Sequence, residues 1–324
     1  MTHPLRRPFE YGLARFAMGT LPLLPRRAIL RLAHLLGGLG YLLMRRQRAV
    51  GMANLALALP DRTPEQHRLI LRQSLSNFAL VVLDTCWLAR DTQARLAGLV
   101  TFHPTFTDTI LKPGAQICLT AHMGNWEVLG LAVSQKGFPL TSVTAPLKNP
   151  WIEDLSKDLR KLAGQQPVTK RGAVRSLLKV LRQDGKIALV LDQNTKPAQG
   201  GLFVDFFGLK APISAAAAQL ARRTGAPLII GACVPDGHGR YFTPPARIID
   251  QTGLPAGEAE AVYELTQRIA HGLEDLIRSY PAYWIWTYKR WKIRPDGEDP
   301  ARYPFYTRPI RAGDLPARGG IREE

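Results

Sequence analysis

Apolar and polar positions follow two periods along this chain. A short apolar run at residues 117–120 is bounded by turn-forming residues and reads as a buried strand, and residues 140–144, 187–191 and 228–234 also read as strands. Between and after them, residues 174–183, 214–223 and 259–278 repeat their apolar side chains at steps of three and four, which predicts helices. Gly185 and Gly225 fall where helix-ending glycines belong. Strand and helix alternate from about residue 100, so an α/β fold is expected. In such folds the reactive side chains gather on loops at the carboxyl ends of strands, and His122, Lys148 and Asp192 all fall there.

The N-terminal part has a different pattern. Residues 28–44 form an apolar stretch of 17 residues, close to the lower limit for crossing a bilayer, bracketed by Arg26, Arg27, Arg45, Arg46 and Arg48. Arg27, Arg31, His34, Gly38, Tyr41 and Arg45 recur at helical spacing, leaving leucines around the rest of the helix. This pattern suits a helix lying in the membrane interface, with a single N-terminal membrane-spanning helix as the alternative. Arg15 interrupts the first apolar stretch and no small-residue cleavage site follows, so a cleavable signal peptide is not expected. Thr63, Pro64 and Gln66 supply a capping box for a helix running to about Leu88, and an ordinary core helix suffices to explain it. Residues 296–324, rich in Pro, Gly and Arg, read as an extended tail. The expected organisation is a membrane-associated helical segment over 1–95, a catalytic α/β domain over 96–295 and that tail.

Composition narrows the function classes. With 324 residues, 46% hydrophobic and 21% charged, the chain can bury a sizeable core, which excludes a disordered protein. Its formal net charge of +17 draws it to anionic partners: nucleic acid, anionic lipid head groups or an acidic acyl carrier protein. Cys86, Cys118 and Cys233 are far apart in apolar surroundings, so neither a disulfide framework nor a zinc site is expected.

The densest chemistry lies in Thr120-Ala121-His122-Met123-Gly124-Asn125-Trp126-Glu127, a strand end, a turn and the start of a helix. On one continuous helix His122 and Glu127 would point roughly 140° apart, so only a bend between them lets them meet. Once together, the carboxylate would hold one ring N–H and stabilise the imidazolium. The other nitrogen would then be free to take a proton from a hydroxyl. A turn histidine bonded to a local carbonyl, with Glu127 favouring a helix N-terminus, is the plainer reading of the spacing alone.

The His122–Glu127 segment resembles the His-x4-Glu motif of the lipid A biosynthesis acyltransferases, the late acyltransferases of the lysophospholipid acyltransferase superfamily. Further blocks resemble that family in order: Pro146-Leu147-Lys148-Asn149-Pro150, Arg171-Gly172, Asp192-Gln193 followed by Gly200 to Gly208, and Arg290-Trp291-Lys292 with Arg294-Pro295. Together they cover about residues 28–295. The resemblance implies a mixed sheet flanked by helices, of glycerolipid acyltransferase type, at the cytoplasmic face of the cell inner membrane. It further implies a donor thioester on acyl carrier protein or coenzyme A, an anionic lipid or glycolipid acceptor, and no cofactor or metal. Where many members carry Tyr-Arg before the second block, this chain has Thr144-Ala145, which leaves the acceptor open.

On this reading His122 is the general base and Glu127 its partner. The turn N–H groups around Gly124, with the Asn125 side chain, are the nearest donors for an oxyanion. Lys148, Asn149 and Arg171 are expected to hold acceptor anions. For Asp192 and Gln193, support of the active site and substrate contact are both open. Phe206 and Phe207 belong either to a buried strand and turn or to an aromatic wall for an acyl chain. Arg290 lies in an aromatic-cationic run, residues 283–292, that fits a lipid interface better than nucleic acid when an apolar N-terminal segment is present. The rival classes are a thioesterase or lipase using water, and a non-catalytic membrane- or nucleic-acid-binding protein.

Overall fold

A computed structural model describes residues 6–144, 149–162, 164–169 and 173–316. The chain begins with helices α1 (Arg6–Thr20), α2 (Arg26–Leu43), α3 (Arg45–Ala58), α4 (Pro64–Trp87) and α5 (Thr92–Ala97). Then come β1 (Val100–Thr101), α6 (Pro104–Ile110), β2 (Gln116–Thr120), α7 (Trp126–Gln135), β3 (Leu140–Thr144), α8 (Pro150–Leu162) and β4 (Gln166–Thr169). They are followed by α9 (Ala173–Arg182), β5 (Lys186–Val190), β6 (Gly201–Phe206), β7 (Leu209–Ser214), α10 (Ala216–Thr224) and β8 (Leu228–Ile230). The last elements are β9 (Val234–Pro235), β10 (Tyr241–Phe242), β11 (Arg247–Ile248), α11 (Glu258–Ser279), β12 (Ile293–Arg294) and β13 (Arg308–Pro309).

The central sheet has six strands in the order β11-β8-β2-β5-β3-β4. All pairs are parallel except β11 on β8, so the sheet is mixed, as expected. Side chains alternate between its faces. Ile117, Leu119, Ile187 and Leu189 face a core shared with Leu55 of α3, Leu177 and Leu181 of α9, and α10 and α11. Cys118 and Ala188 face a second core with Ile29 of α2, Leu83 of α4, Phe106 of α6 and Val133 of α7. The strand expected over 228–234 ends at Ile230. The Gly231 N–H still bonds to the Leu119 carbonyl at 2.9 Å; beyond it the backbone leaves the ladder, and the Cys233 carbonyl accepts the Asn125 N–H at 2.7 Å.

The α4 capping box forms, with Thr63 and Gln66 exchanging bonds at 3.3 and 2.9 Å. Helix α2 turns Ile29, Ala33 and Gly37 onto α4, and a Cβ at position 37 would meet the Ser76 backbone at 2.4 Å. Leu35, Leu39, Leu42 and Leu43 of α2 are exposed, as are Phe9 and Phe16 of α1. Helices α2 and α3 meet at 94°, so together they are not one straight span. Among the described helices α4 alone is long and apolar enough by itself to cross a membrane, and half of that window is buried inside the protein.

Residues 296–316, expected as part of an extended tail, are packed instead. Tyr303 is buried, Tyr306 donates to Asn54, and Asp314 holds both Arg308 and Lys196.

Candidate functional site

The sheet register brings the reactive pair together. Thr120 of β2 stands opposite Val190 of β5, and the ladder continues one step through the Leu191 N–H to the Thr120 carbonyl. Two residues beyond each of these partners, His122 and Asp192 emerge side by side, and His122 Nδ1 lies 2.7 Å from Asp192 Oδ1. The carboxylate is buried, and its other oxygen accepts the Trp284 indole N–H at 2.7 Å. Burial opposes both charges, yet here attraction outweighs it. Asp192 is held below the usual carboxylate range by the His122 charge and hydrogen bond and by Trp284. His122 is raised above an ordinary histidine, against desolvation, by Asp192 first and then by the Glu127 charge.

Glu127 is therefore not the hydrogen-bonding partner expected for His122. It is gripped by Arg160 of α8, with contacts of 2.7, 2.9 and 3.1 Å, and acts on the histidine through space. The helix that starts at Trp126 aims Glu127 at α8, while the Trp126 ring packs edge-on against His122 with centroids 5.0 Å apart.

The turn is also a correction. Its N–H groups are already committed: Met123 to Ala121 at 2.7 Å, Gly124 to Tyr283 at 2.9 Å, and Asn125 to Cys233 at 2.7 Å. Gly124 has φ +55°, and a Cβ there would sit 1.9 Å from the Cys233 carbonyl oxygen, so only glycine fits. The Asn125 side chain is fully buried. It caps α7 by accepting from Val128 at 3.0 Å and donates to Asp84 and the Tyr241 hydroxyl at 3.1 and 3.0 Å. Arg26 and Tyr241 both donate to Asp84, and Arg26 reaches on to the Gly239 carbonyl. Gly124 and Asn125 thus build the turn and offer no donor to an oxyanion. The Gln193 amide does stand at the site, 3.4 Å from His122 Nε2.

Four other expected substrate contacts are structural. Asn149 is buried, caps the start of α8 and ties α1 down through Arg7 and Glu10 at 2.9 and 3.3 Å. Phe206 and Phe207 are core residues packed on Trp284 and Trp291; the tight β6–β7 turn puts Phe207 at φ +52°. Arg290 is fully buried over the Phe206 ring and donates to Asn194 and the Pro212 carbonyl at 2.8 and 3.2 Å; burial lowers its guanidinium to about 10. Lys148 and Arg171 lie outside the described residues, as does Ala145.

A cavity of about 1180 Å³ opens beside the pair, bordered by His122, Gln193, Glu127 and Arg160. Its wall is mainly apolar, with Leu13 and Met18 of α1, Phe78 and Val82 of α4, and Leu129 and Val133 of α7. Sequence reading missed Arg160, the α1 wall and Trp284 as the brace of Asp192. It had flagged Asp192 at the right strand end without its partner. Among the described residues no cluster of three His, Cys, Asp or Glu side chains is placed to hold a metal ion.

A histidine braced by a buried carboxylate at the rim of a long apolar cavity is suited to general-base chemistry on a lipid-like substrate. Residues 5–293 match the model of the bacterial lipid A biosynthesis acyltransferases, and the chain belongs to that family. Among curated proteins it is similar to the lipid A biosynthesis lauroyltransferase of Escherichia coli K12, 24% identical over 91% of this chain and 95% of that protein. It is also similar to the phosphatidylinositol mannoside acyltransferase of Mycobacterium tuberculosis H37Rv, 26% identical over 66% of this chain and 65% of that protein. A lipid A biosynthesis acyltransferase of Haemophilus influenzae is 24% identical over 84% and 88%. The chain thus spans just under two thirds of the mycobacterial relative.

Proposed function

We propose that this protein is an O-acyltransferase. It would move a fatty acyl chain from a thioester of acyl carrier protein or coenzyme A to a hydroxyl of a lipid A precursor or a related glycolipid or phospholipid. The observation that carries this reading is the 2.7 Å contact between His122 Nδ1 and Asp192 at the rim of the apolar cavity. Family membership points the same way, and a glycerolipid acyltransferase-like fold is consistent with the mixed sheet.

Asp192 fixes Nδ1 as the protonated nitrogen, so Nε2 accepts the proton of the acceptor hydroxyl. The hydroxyl oxygen attacks the thioester carbonyl and forms the new C–O bond. As the tetrahedral intermediate collapses the C–S bond breaks, and His122 Nε2 passes its proton to the departing sulfur, which leaves as the free thiol. No acyl-enzyme is required. Asp192 and the charge of Glu127 stabilise the transient imidazolium. The Gln193 amide takes over the oxyanion role expected of the turn. Arg160, with Lys148 and Arg171, supplies positive charge for an acceptor phosphate or carboxylate. The exposed apolar residues of α1 and α2, with the arginines around them, support docking in the interface of the cell inner membrane at its cytoplasmic face.

The test is to incubate the purified protein with a labelled acyl thioester and a panel of lipid acceptors, and to identify the product by mass spectrometry. An O-acylated lipid is expected, with the rate reduced about 10²–10⁴-fold in His122→Ala. Free fatty acid formed equally with and without acceptor would make the protein a hydrolase, and near-normal transfer by His122→Ala would remove the mechanism.

A further inference from the structure

The floor of one part of the cavity is made of small side chains in register. Cys118 of β2 stands opposite Ala188 of β5, Ala188 stands opposite Ser142 of β3, and all three line the cavity. The smallness is confined to this face. On the same two central strands the opposite face carries the larger Ile117, Leu119, Ile187 and Leu189 of the other core, of which Leu119 and Leu189 also border the cavity. Three adjacent strands span roughly 10 Å at about 4.8 Å per step, and this row lies one same-face step, roughly 7 Å, below Thr120 and Val190 beside the His122–Asp192 pair.

The row is closed at one end. Next to Cys118 on β8 stands the fully buried Ile229, and Phe106 and Ile110 of α6 line the cavity there. Their helix is packed hard against the sheet. A Cβ on the neighbouring Gly231 would meet the Phe106 ring at 2.8 Å and Ile110 at 3.3 Å, so this wall cannot move inward. Burial pushes the Cys118 thiol up to about 12, which leaves it a neutral spacer.

We infer that Cys118, Ala188 and Ser142 form the floor, and Phe106 with Ile110 the end wall, of a gauge that sets the length of acyl chain the enzyme accepts. This rests on the acyl-transfer reading above. A chain too long for the groove has no room for its last carbons. A chain too short leaves part of the apolar wall uncovered. One methylene in such a pocket is worth about a tenfold or greater difference in kcat/KM.

The experiment offers saturated acyl thioesters of stepped length in competition and reads the products by mass. Ala188→Ile raises the floor and is expected to shift preference to shorter chains, with the long-to-short product ratio falling about tenfold or more. Ser142→Val serves as a second variant of the same sign. Ile110→Ala sets the wall back and is expected to shift preference to longer chains. Each profile is a ratio within one preparation, so partial loss of folded protein cancels. Unchanged profiles in these variants, or shifts in the same direction on raising the floor and opening the wall, would overturn the gauge while leaving acyl transfer intact. A wild-type protein that transfers no acyl group of any length overturns both readings.

Discussion

Asp192→Asn is nearly isosteric, yet it should disable the site. The carboxylate accepts from His122 Nδ1 and from Trp284 Nε1, both at 2.7 Å, and the His122 backbone N–H also bonds to it. An amide has one accepting oxygen and a donating NH2, so at least one of these N–H groups must face another donor. If the amide nitrogen turns to His122, Nδ1 becomes the acceptor, Nε2 carries the proton, and the base is lost. If the oxygen stays, the imidazolium still loses a charged hydrogen bond contributing about 1.5–3 kcal/mol, or about ten- to hundredfold in rate. We predict a fall in kcat of about 10²–10⁴-fold with little change in KM for the thioester. The pH profile adds a second reading. His122 titrates above an ordinary histidine, so wild-type transfer should rise with pH through that raised value. Without the Asp192 charge, burial dominates and the acid limb should move to lower pH. In stability terms Asp192 contributes above its unfolded value and loses that contribution as pH falls through its depressed folded value. His122 contributes below its unfolded value and loses it as pH rises through its raised folded one. The pair therefore stabilises most between about pH 4 and 6.5, and the denaturant midpoint of Asp192→Asn should fall furthest behind wild type there. A kcat within threefold of wild type, with an unmoved acid limb, would refute the assignment of Asp192 as the partner of His122.

The remaining expectations concern charge around the cavity. Glu127→Gln removes a through-space charge rather than a hydrogen bond to the base. It should therefore shift the acid limb down by less than Asp192→Asn and free Arg160, with a loss of activity nearer tenfold; an effect equal to that of Asp192→Asn would make Glu127 a direct partner in catalysis. Lys148→Ala and Arg171→Ala should each weaken acceptor dependence by about ten- to hundredfold at saturating donor, in line with one charged hydrogen bond. An unchanged acceptor titration with a raised requirement for acyl carrier protein would move both residues to a donor-docking surface.

The sheet was largely legible because β2 and β5 are mostly buried strands, which show as short apolar runs between turn signals. Their pairing was not. That β5 lies beside β2 in the register setting Asp192 against His122 depends on a crossover through α7, β3, α8, β4 and α9, which local periodicity does not encode. Glu127 was given the wrong partner for a similar reason. Its cation, Arg160, lies 33 residues on, on a strongly charged helix with nothing to single it out. Phe206, Phe207 and Arg290 carried the composition of a lipid interface and went to the core, because an aromatic-cation stack packs in either setting. Residues 296–316 have no period at all, being pinned by scattered contacts such as Asp314 with Lys196 and Arg308.

The Arg26–Asp84–Asn125–Tyr241 cluster has a consequence for the order in which the molecule is assembled. It joins points 58, 41 and 116 residues apart along the chain, and Arg26 to Gly239 closes a separation of 213. Arg26 of α2 and Asp84 of α4 both lie in the N-terminal helices, whereas the hydroxyl that completes their cluster, on Tyr241, follows most of the sheet along the chain. Until then α2 packs against α4 and α3, and its leucine side stays uncovered. The turn bearing His122 is held by bonds to Cys233, Tyr241 and Tyr283, all far downstream, so segments late in the chain complete it. A chain cut short before β10 would accordingly carry His122 on an unfinished turn.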